Sequence, residues 1–160
     1  MLIRLSKTVL SAVIVLCVIT LFTFQFFGLH LLVVSGDSML PTYTDGSLLL
    51  ARDIDQSNLA LLDGFPVCWV ELPSGNSVLK RLIGRPGQVV VLADGDTFVD
   101  GQPVQVGIAQ REDAWQIALK EDQYVFLGDN REDSLDSRHW SPAWVTLAQI
   151  KGVVLNSALE

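Results

Sequence analysis

The apolar positions of this chain fall into two regimes. From residue 9 to residue 34 there is no Asp, Glu, Lys or Arg across 26 positions. As a helix that run would measure about 39 Å, longer than a bilayer hydrocarbon core of about 30 Å. After Val34 the apolar residues come in short Val-, Leu- and Ile-rich runs at 47–51, 67–72, 78–83, 89–92, 124–127 and 152–155. Gly, Pro, Asp and Asn bound them, which is the pattern of strands and turns. Asp45-Gly46, Asp63-Gly64, Asp94-Gly95 and Asp100-Gly101 are turn dipeptides. Residues 89–106 read as strand, turn, strand, turn, strand. Short helices are expected only at 113–120 and 143–149. The class is mainly β, preceded by one membrane helix.

A cleavable export signal is the rival for the first regime. Such a signal has an apolar region of about 7–15 residues followed by a small-residue cleavage site. Here the run is longer and no Ala-x-Ala follows it. A retained anchor over 8–30 is therefore expected. Arg4 and Lys7 precede it, and the next basic residue is Arg52. The positive-inside rule then puts residues 1–7 in the cytoplasm and residues 31–160 outside.

Charge narrows the partners. The chain has 11 Lys+Arg and 18 Asp+Glu, a net charge of −7. An acidic chain without a basic run is a poor binder of phosphate backbones, so no nucleic-acid partner is expected. The two cysteines, Cys17 and Cys68, lie on opposite sides of the anchor boundary, so no internal disulfide is expected. Cys68 lies in an apolar strand, a setting for an inert thiol. No Cys/His cluster suggests a metal.

Three polar segments interrupt the strands. Alternation in 78–83 puts Val78, Lys80 and Leu82 on one face and Leu79, Arg81 and Ile83 on the other. Lys80 thus has apolar neighbours. Most such lysines lay the stem on apolar surface and keep the ammonium in water. A desolvated amine instead loses pKa and becomes a general base, able to activate a serine. A candidate serine, Ser38, lies in Ser35-Gly36-Asp37-Ser38-Met39-Leu40-Pro41-Thr42, where Gly and Pro favour a tight turn. The third segment, 128–140, is a polar run between apolar 124–127 and Trp140, either a solvated loop or a buried charge network.

Together, Ser-Gly-Asp-Ser-Met-Leu-Pro-Thr, Leu-Lys-Arg-Leu-Ile-Gly-Arg-Pro-Gly and Gly-Asp-Asn-Arg-Glu-Asp-Ser-Leu-Asp-Ser-Arg-His-Trp resemble the motif boxes of bacterial type I signal peptidases (leader peptidases). The resemblance covers most of 35–140. It implies a folded antiparallel β-sheet domain, with a minimal accessory β-region at about 88–123. It implies a Ser-Lys endopeptidase of the bacterial cytoplasmic membrane, without cofactor or metal. Its partners would be the lipid bilayer and signal-peptide-bearing preproteins, cleaved after small residues. By similarity Ser38 is the nucleophile, Lys80 the base, and Ser134 a hydroxyl that helps hold the lysine. Asp136 with Arg138, and Asp129 with Arg81, resemble supporting charge pairs. Val34, Met39, Tyr43 and Leu79 fall at positions that would line small apolar pockets. Some family members use a hydroxyl two residues before the nucleophile as an oxyanion donor. Here that position is Gly36. Two alternatives share parts of this pattern: a dedicated processing peptidase with one or a few clients, and an inactive membrane-tethered peptide-binding domain.

Overall fold

A computed structural model describes residues 7–107 and 114–155. In chain order the elements are α1 (Lys7–Phe26), β1 (Leu29–Val33), β2 (Leu48–Asp53), β3 (Val67–Glu71), β4 (Ser77–Gly84), β5 (Val89–Ala93), β6 (Asp96–Val99), β7 (Gln102–Val104), β8 (Trp115–Ala118), β9 (Val125–Leu127) and β10 (Ile150–Val154). Short 3-10 turns occupy Leu59–Leu62 and Leu147–Gln149. All strand pairings are antiparallel. A six-stranded sheet runs β1-β2-β10-β3-β4-β9, and a four-stranded sheet runs β7-β6-β5-β8.

The turn dipeptides behave as their chemistry requires. Ala93 pairs with Asp96, and Val99 pairs with Gln102, leaving two-residue loops at Asp94-Gly95 and Asp100-Gly101. All four loop residues have positive φ. That is the geometry whose twist matches antiparallel strands, and Asp-Gly adopts it at low cost.

Strand alternation builds the core. Along β3 and β4, Cys68, Val70, Val78 and Leu82 face a cluster with Phe126, Val145 and Ile150. Val67 and Leu79 turn the other way, toward Val34, Met39, Tyr43 and Leu49. A third cluster joins the two sheets: Ile83, Val125 and Leu127 pack with Val90, Leu92 and Leu119. Fully buried side chains such as Leu82 and Phe126 each contribute about 1.5–3 kcal/mol by leaving water.

Three expectations change. The helix expected at 113–120 is the strand β8, paired with β5 along Val89–Leu92; residue 113 lies outside the described residues. Trp115 and Ile117 alternate with Gln116 and Ala118, and that alternation lets the two large side chains pack on the third cluster. Within 143–149 only Leu147–Gln149 is helical, because Val145 is buried and bridges Tyr124 as a strand residue would. Of the anchor expected over 8–30, α1 ends at Phe26, and Leu29 and His30 belong to β1. Gly28, at φ +59°, takes the left-handed conformation that stops a helix. Among the described residues no helix is long and apolar enough to cross a membrane. Leu29–Val33 are instead an edge strand, held to β2 by the register Leu29↔Arg52 through Val33↔Leu48.

Gly84 sits where the sheets meet. A Cβ there would lie 2.5 Å from Val90 Cγ2 and 2.6 Å from Leu119 Cδ1. Overpacking of this kind costs about 1–3 kcal/mol. Gly84→Ala is expected to lower the urea midpoint accordingly, and an unchanged midpoint would show that the junction has slack.

Candidate active site

The β1 ladder continues one residue past the strand. The Val34 N–H donates to the Ser47 carbonyl at 2.9 Å, and the Gly46 N–H donates to the Val34 carbonyl at 2.9 Å. The chain then turns sharply. Gly36, at φ +86°, donates its N–H to Asp45 Oδ1 at 2.8 Å. The Leu40 N–H reaches the Asp37 carbonyl and the Tyr43 N–H reaches the Met39 carbonyl. This compact turn buries Met39 completely and leaves Ser38 half-buried at the surface of the core.

A second set of contacts fixes the turn from outside. The Asn130 N–H donates to the Ser38 carbonyl at 3.0 Å, and Asn130 Nδ2 donates to the Asp37 carbonyl at 3.2 Å. Gly128 passes so close that a Cβ there would lie 2.7 Å from the Ser38 carbonyl oxygen and 2.2 Å from Ser134 Oγ. Only glycine allows that approach.

Lys80 comes from the middle of β4. Its side chain is 4% exposed, and Nζ lies 2.7 Å from Ser38 Oγ. Burial pushes the amine below its ordinary pKa, because the charged form loses hydration; Asp136 and then Asp129 oppose this.

Those two carboxylates are themselves paired. Asp136 is fully buried, and Arg138 grips it with Nε on Oδ1 at 2.8 Å and Nη2 on Oδ2 at 2.9 Å. The Gly128 N–H adds a bond to Oδ2 at 2.9 Å. Burial alone would raise the Asp136 pKa, but the Arg138 and Gly128 hydrogen bonds outweigh it and hold the carboxyl low. Asp129, also buried, accepts Arg81 Nε at 2.6 Å and Nη2 at 2.5 Å, and Thr42 Oγ1 at 2.5 Å. Burial works against the Arg81 charge, and Asp129 more than restores it. Arg81 lies on the strand face opposite Lys80, as alternation requires.

The structure thus brings together Ser38, Lys80, Asp129 with Arg81, and Asp136 with Arg138. Ser134 is buried nearby; its Oγ makes no hydrogen bond to Lys80, and its hydroxyl instead helps hold the Asp136 carboxyl low. A cleft of about 230 Å³ opens at Ser38 and Lys80, with Val34, Met39 and Leu79 in its lining. Tyr43 does not line it. Its ring is buried in the cluster of Leu49 and Val67, where burial raises its pKa. Trp69 lines the cleft instead, and sequence reasoning missed it. Its signal was available: β3 alternation puts it beside Val67 and away from Cys68. Thr42 and Asn130 were also missed, and only their partners in space reveal them. Cys68 is buried and its thiol pushed up, as expected of an inert core cysteine. Among the described residues no cluster of His, Cys, Asp or Glu is suited to a metal.

Comparison with known proteins adds to this geometry. Signal peptidase I P of Bacillus subtilis subsp. natto is 29% identical, over 84% of this chain and 76% of its own length. Signal peptidase I of Bacillus licheniformis is 27% identical, over 83% and 76%. A signal peptidase I crystal structure from Enterococcus faecalis is 27% identical, covering 56% of this chain and 92% of that one, with a TM-score of 0.48. The model of the family described as signal peptidase, peptidase S26, matches residues 2–157. With nearly its whole length matched, the chain belongs to the signal peptidase family, peptidase S26.

Proposed function

We propose that this serine endopeptidase of the signal peptidase I type removes N-terminal signal peptides from exported precursors, with Ser38 as nucleophile and Lys80 as general base. The observation that carries the reading is the 2.7 Å contact between Ser38 Oγ and the amine of Lys80, a buried residue. The distance is within reach for direct proton transfer, and burial favours the neutral amine that can accept the proton.

The steps follow from that contact. Lys80 Nζ takes the Ser38 hydroxyl proton as Oγ attacks the scissile carbonyl carbon. The tetrahedral intermediate collapses, the C–N bond breaks, and protonated Lys80 returns the proton to the leaving amine. Water then gives a proton to Lys80 and attacks the acyl ester. Ser38 Oγ leaves and recovers its proton from Lys80. The Ser38 N–H is the oxyanion donor in this scheme. Gly36 has no hydroxyl to add, and its φ of +86° disfavours any side chain there. Asp136–Arg138 and Asp129–Arg81 hold the frame, and Ser134 adds a polar group beside it.

Two free strand edges support an extended substrate. β4 pairs with β9 only from Arg81 onward, so the outer edge of residues 77–80 has no strand partner among the described residues. β1 is the last strand at the other end of the same sheet. Both lend residues to the cleft, Leu32 and Val33 from β1 and Ser77 to Lys80 from β4. A peptide strand laid there gains main-chain hydrogen bonds, and its alternate side chains enter pockets. The modest cleft volume, walled by Val34, Met39 and Leu79, favours small residues such as Ala at the first and third positions before the cleaved bond.

The uncharged run at 9–34 supports a membrane anchor within 8–26, ahead of β1, with residues 1–7 in the cytoplasm. The residues from Leu29 onward then form an extracytoplasmic catalytic domain on the bacterial cytoplasmic membrane, with 88–123 its small accessory region. Cleavage of a panel of unrelated precursors distinguishes this general role from a dedicated one.

Ser38→Ala and Lys80→Ala should each lower kcat by about 10³-fold or more while the circular dichroism spectrum is retained; normal turnover by Lys80→Ala would refute the base assignment. Protonating Lys80 removes the lone pair that accepts the serine proton. The wild-type rate should therefore rise with pH, with a midpoint below the ~10.4 of free lysine; a profile flat from pH 6 to 9 counts against a lysine base. Asp136→Ala leaves the largely buried Arg138 guanidinium without its carboxylate. It should lose about 3–5 kcal/mol of stability, measured by urea unfolding of the full chain in detergent, and near wild-type stability would mean that the pair is dispensable to the frame.

A further inference from the structure

We infer that Trp69 sets how large a side chain the cleft accepts at the third residue before the cleaved bond, and that His30, tied to Asp53, is the positioning residue that holds Trp69 in place. The inference rests on the proposed peptide cleavage and deepens it.

Side chains of an extended peptide alternate, so the first and third residues before the bond face the sheet together, about 7 Å apart. The first lies beside Ser38 and Lys80, against Val34 and Met39. The third lies farther back along the free edge of β4, over Leu79. In the β3–β4 register Leu79 stands directly opposite Trp69, so the two side chains share a face. Trp69 lines the same cleft as Ser38, Leu79 and Lys80 and is half-buried. A rigid indole at this level limits the depth available to the third residue.

The indole is braced from β1. The His30 ring packs against it at a centroid distance of 5.4 Å and an interplanar angle of 61°, an edge-on contact. His30 Nε2 is 2.8 Å from Asp53 Oδ1. Asp53 is in turn placed by the chain leaving α1: its N–H donates to the Gly28 carbonyl at 2.8 Å, and a Cβ on Gly28 would come within 2.9 Å of Asp53 Oδ2. The His30 and Asp53 side chains are 40% and 54% exposed, so their pairing adds little stability and serves to aim the ring. A row of contacts therefore runs from the end of α1 through Asp53 and His30 to the wall of the cleft.

The test uses the full chain in detergent and two peptide series, with Ala or Leu at the third or at the first residue before the bond. In wild type, kcat/KM should favour Ala in both series. Trp69→Ala should raise the Leu-to-Ala ratio roughly tenfold or more at the third residue, the scale on which an apolar pocket discriminates size, and leave the first-residue ratio within twofold. His30→Ala should shift the third-residue ratio in the same direction by less, and His30→Phe, which keeps a ring but loses the bond to Asp53, should restore it only in part. If Trp69→Ala does not fold, Trp69→Leu reads the same ratio. A third-residue ratio within twofold of wild type, or an equal shift at both positions, overturns the inference while the cleavage reading stands. Wild type that cleaves neither series overturns both.

Discussion

The 2.7 Å contact between a buried lysine and a serine hydroxyl is the constraint around which this domain is arranged. Burial pushes the Lys80 amine below its ordinary pKa, but two carboxylates nearby pull the other way. Each is occupied by its own arginine, Asp136 by Arg138 and Asp129 by Arg81, so much of its field at Lys80 is cancelled. The ion pairs thus have an electrostatic role as well as a structural one. They let acidic groups build the frame of the site while the Lys80 amine stays below its ordinary pKa.

The same pairs bind distant parts of the chain into one body. Asp129 holds Thr42 of the Ser38 turn and Arg81 of β4, residues 87 and 48 positions away. Asn130 holds the Ser38 and Asp37 carbonyls, and Gly128 lets the segment pass close enough to do so. Ser38 and Lys80 belong to segments 42 positions apart. Their meeting depends on a third segment that touches both. A polar run that could have been a solvated loop is instead the clasp of the site.

The six-stranded sheet supplies the other half of the arrangement. Its terminal strand β1 and the unpaired half of β4 both line the cleft. Edge strands usually invite unwanted pairing, and proteins keep them short or covered. Here β1 has five residues and the free stretch of β4 has four, and both edges open at the reactive pair. The cleft and the Ser38–Lys80 contact are therefore bordered by one feature, the incomplete pairing of this sheet among the described residues.

Much of this was legible along the chain. Alternation placed Lys80 and Arg81 on opposite faces, Asp-Gly pairs marked the two tight hairpins, and the three motif boxes singled out the residues that meet at the site. These are local signals, set by backbone geometry within a few residues. What failed was equally physical. Residues 115–118 are too few to declare a period, and the free edge of β5 decided that they form a strand. Leu29 and His30 look like the tail of an apolar helix, and pairing with β2 decided otherwise. Alternation gives Trp69 its strand face, but only packing in space determined that Tyr43 fills the core while Trp69 lines the cleft. The sequence by itself determined which groups are present and which face of each strand they occupy. The tertiary structure alone decided the distance from Ser38 to Lys80 and the water-poor setting of the amine, because contact and burial are created by segments that are remote along the chain.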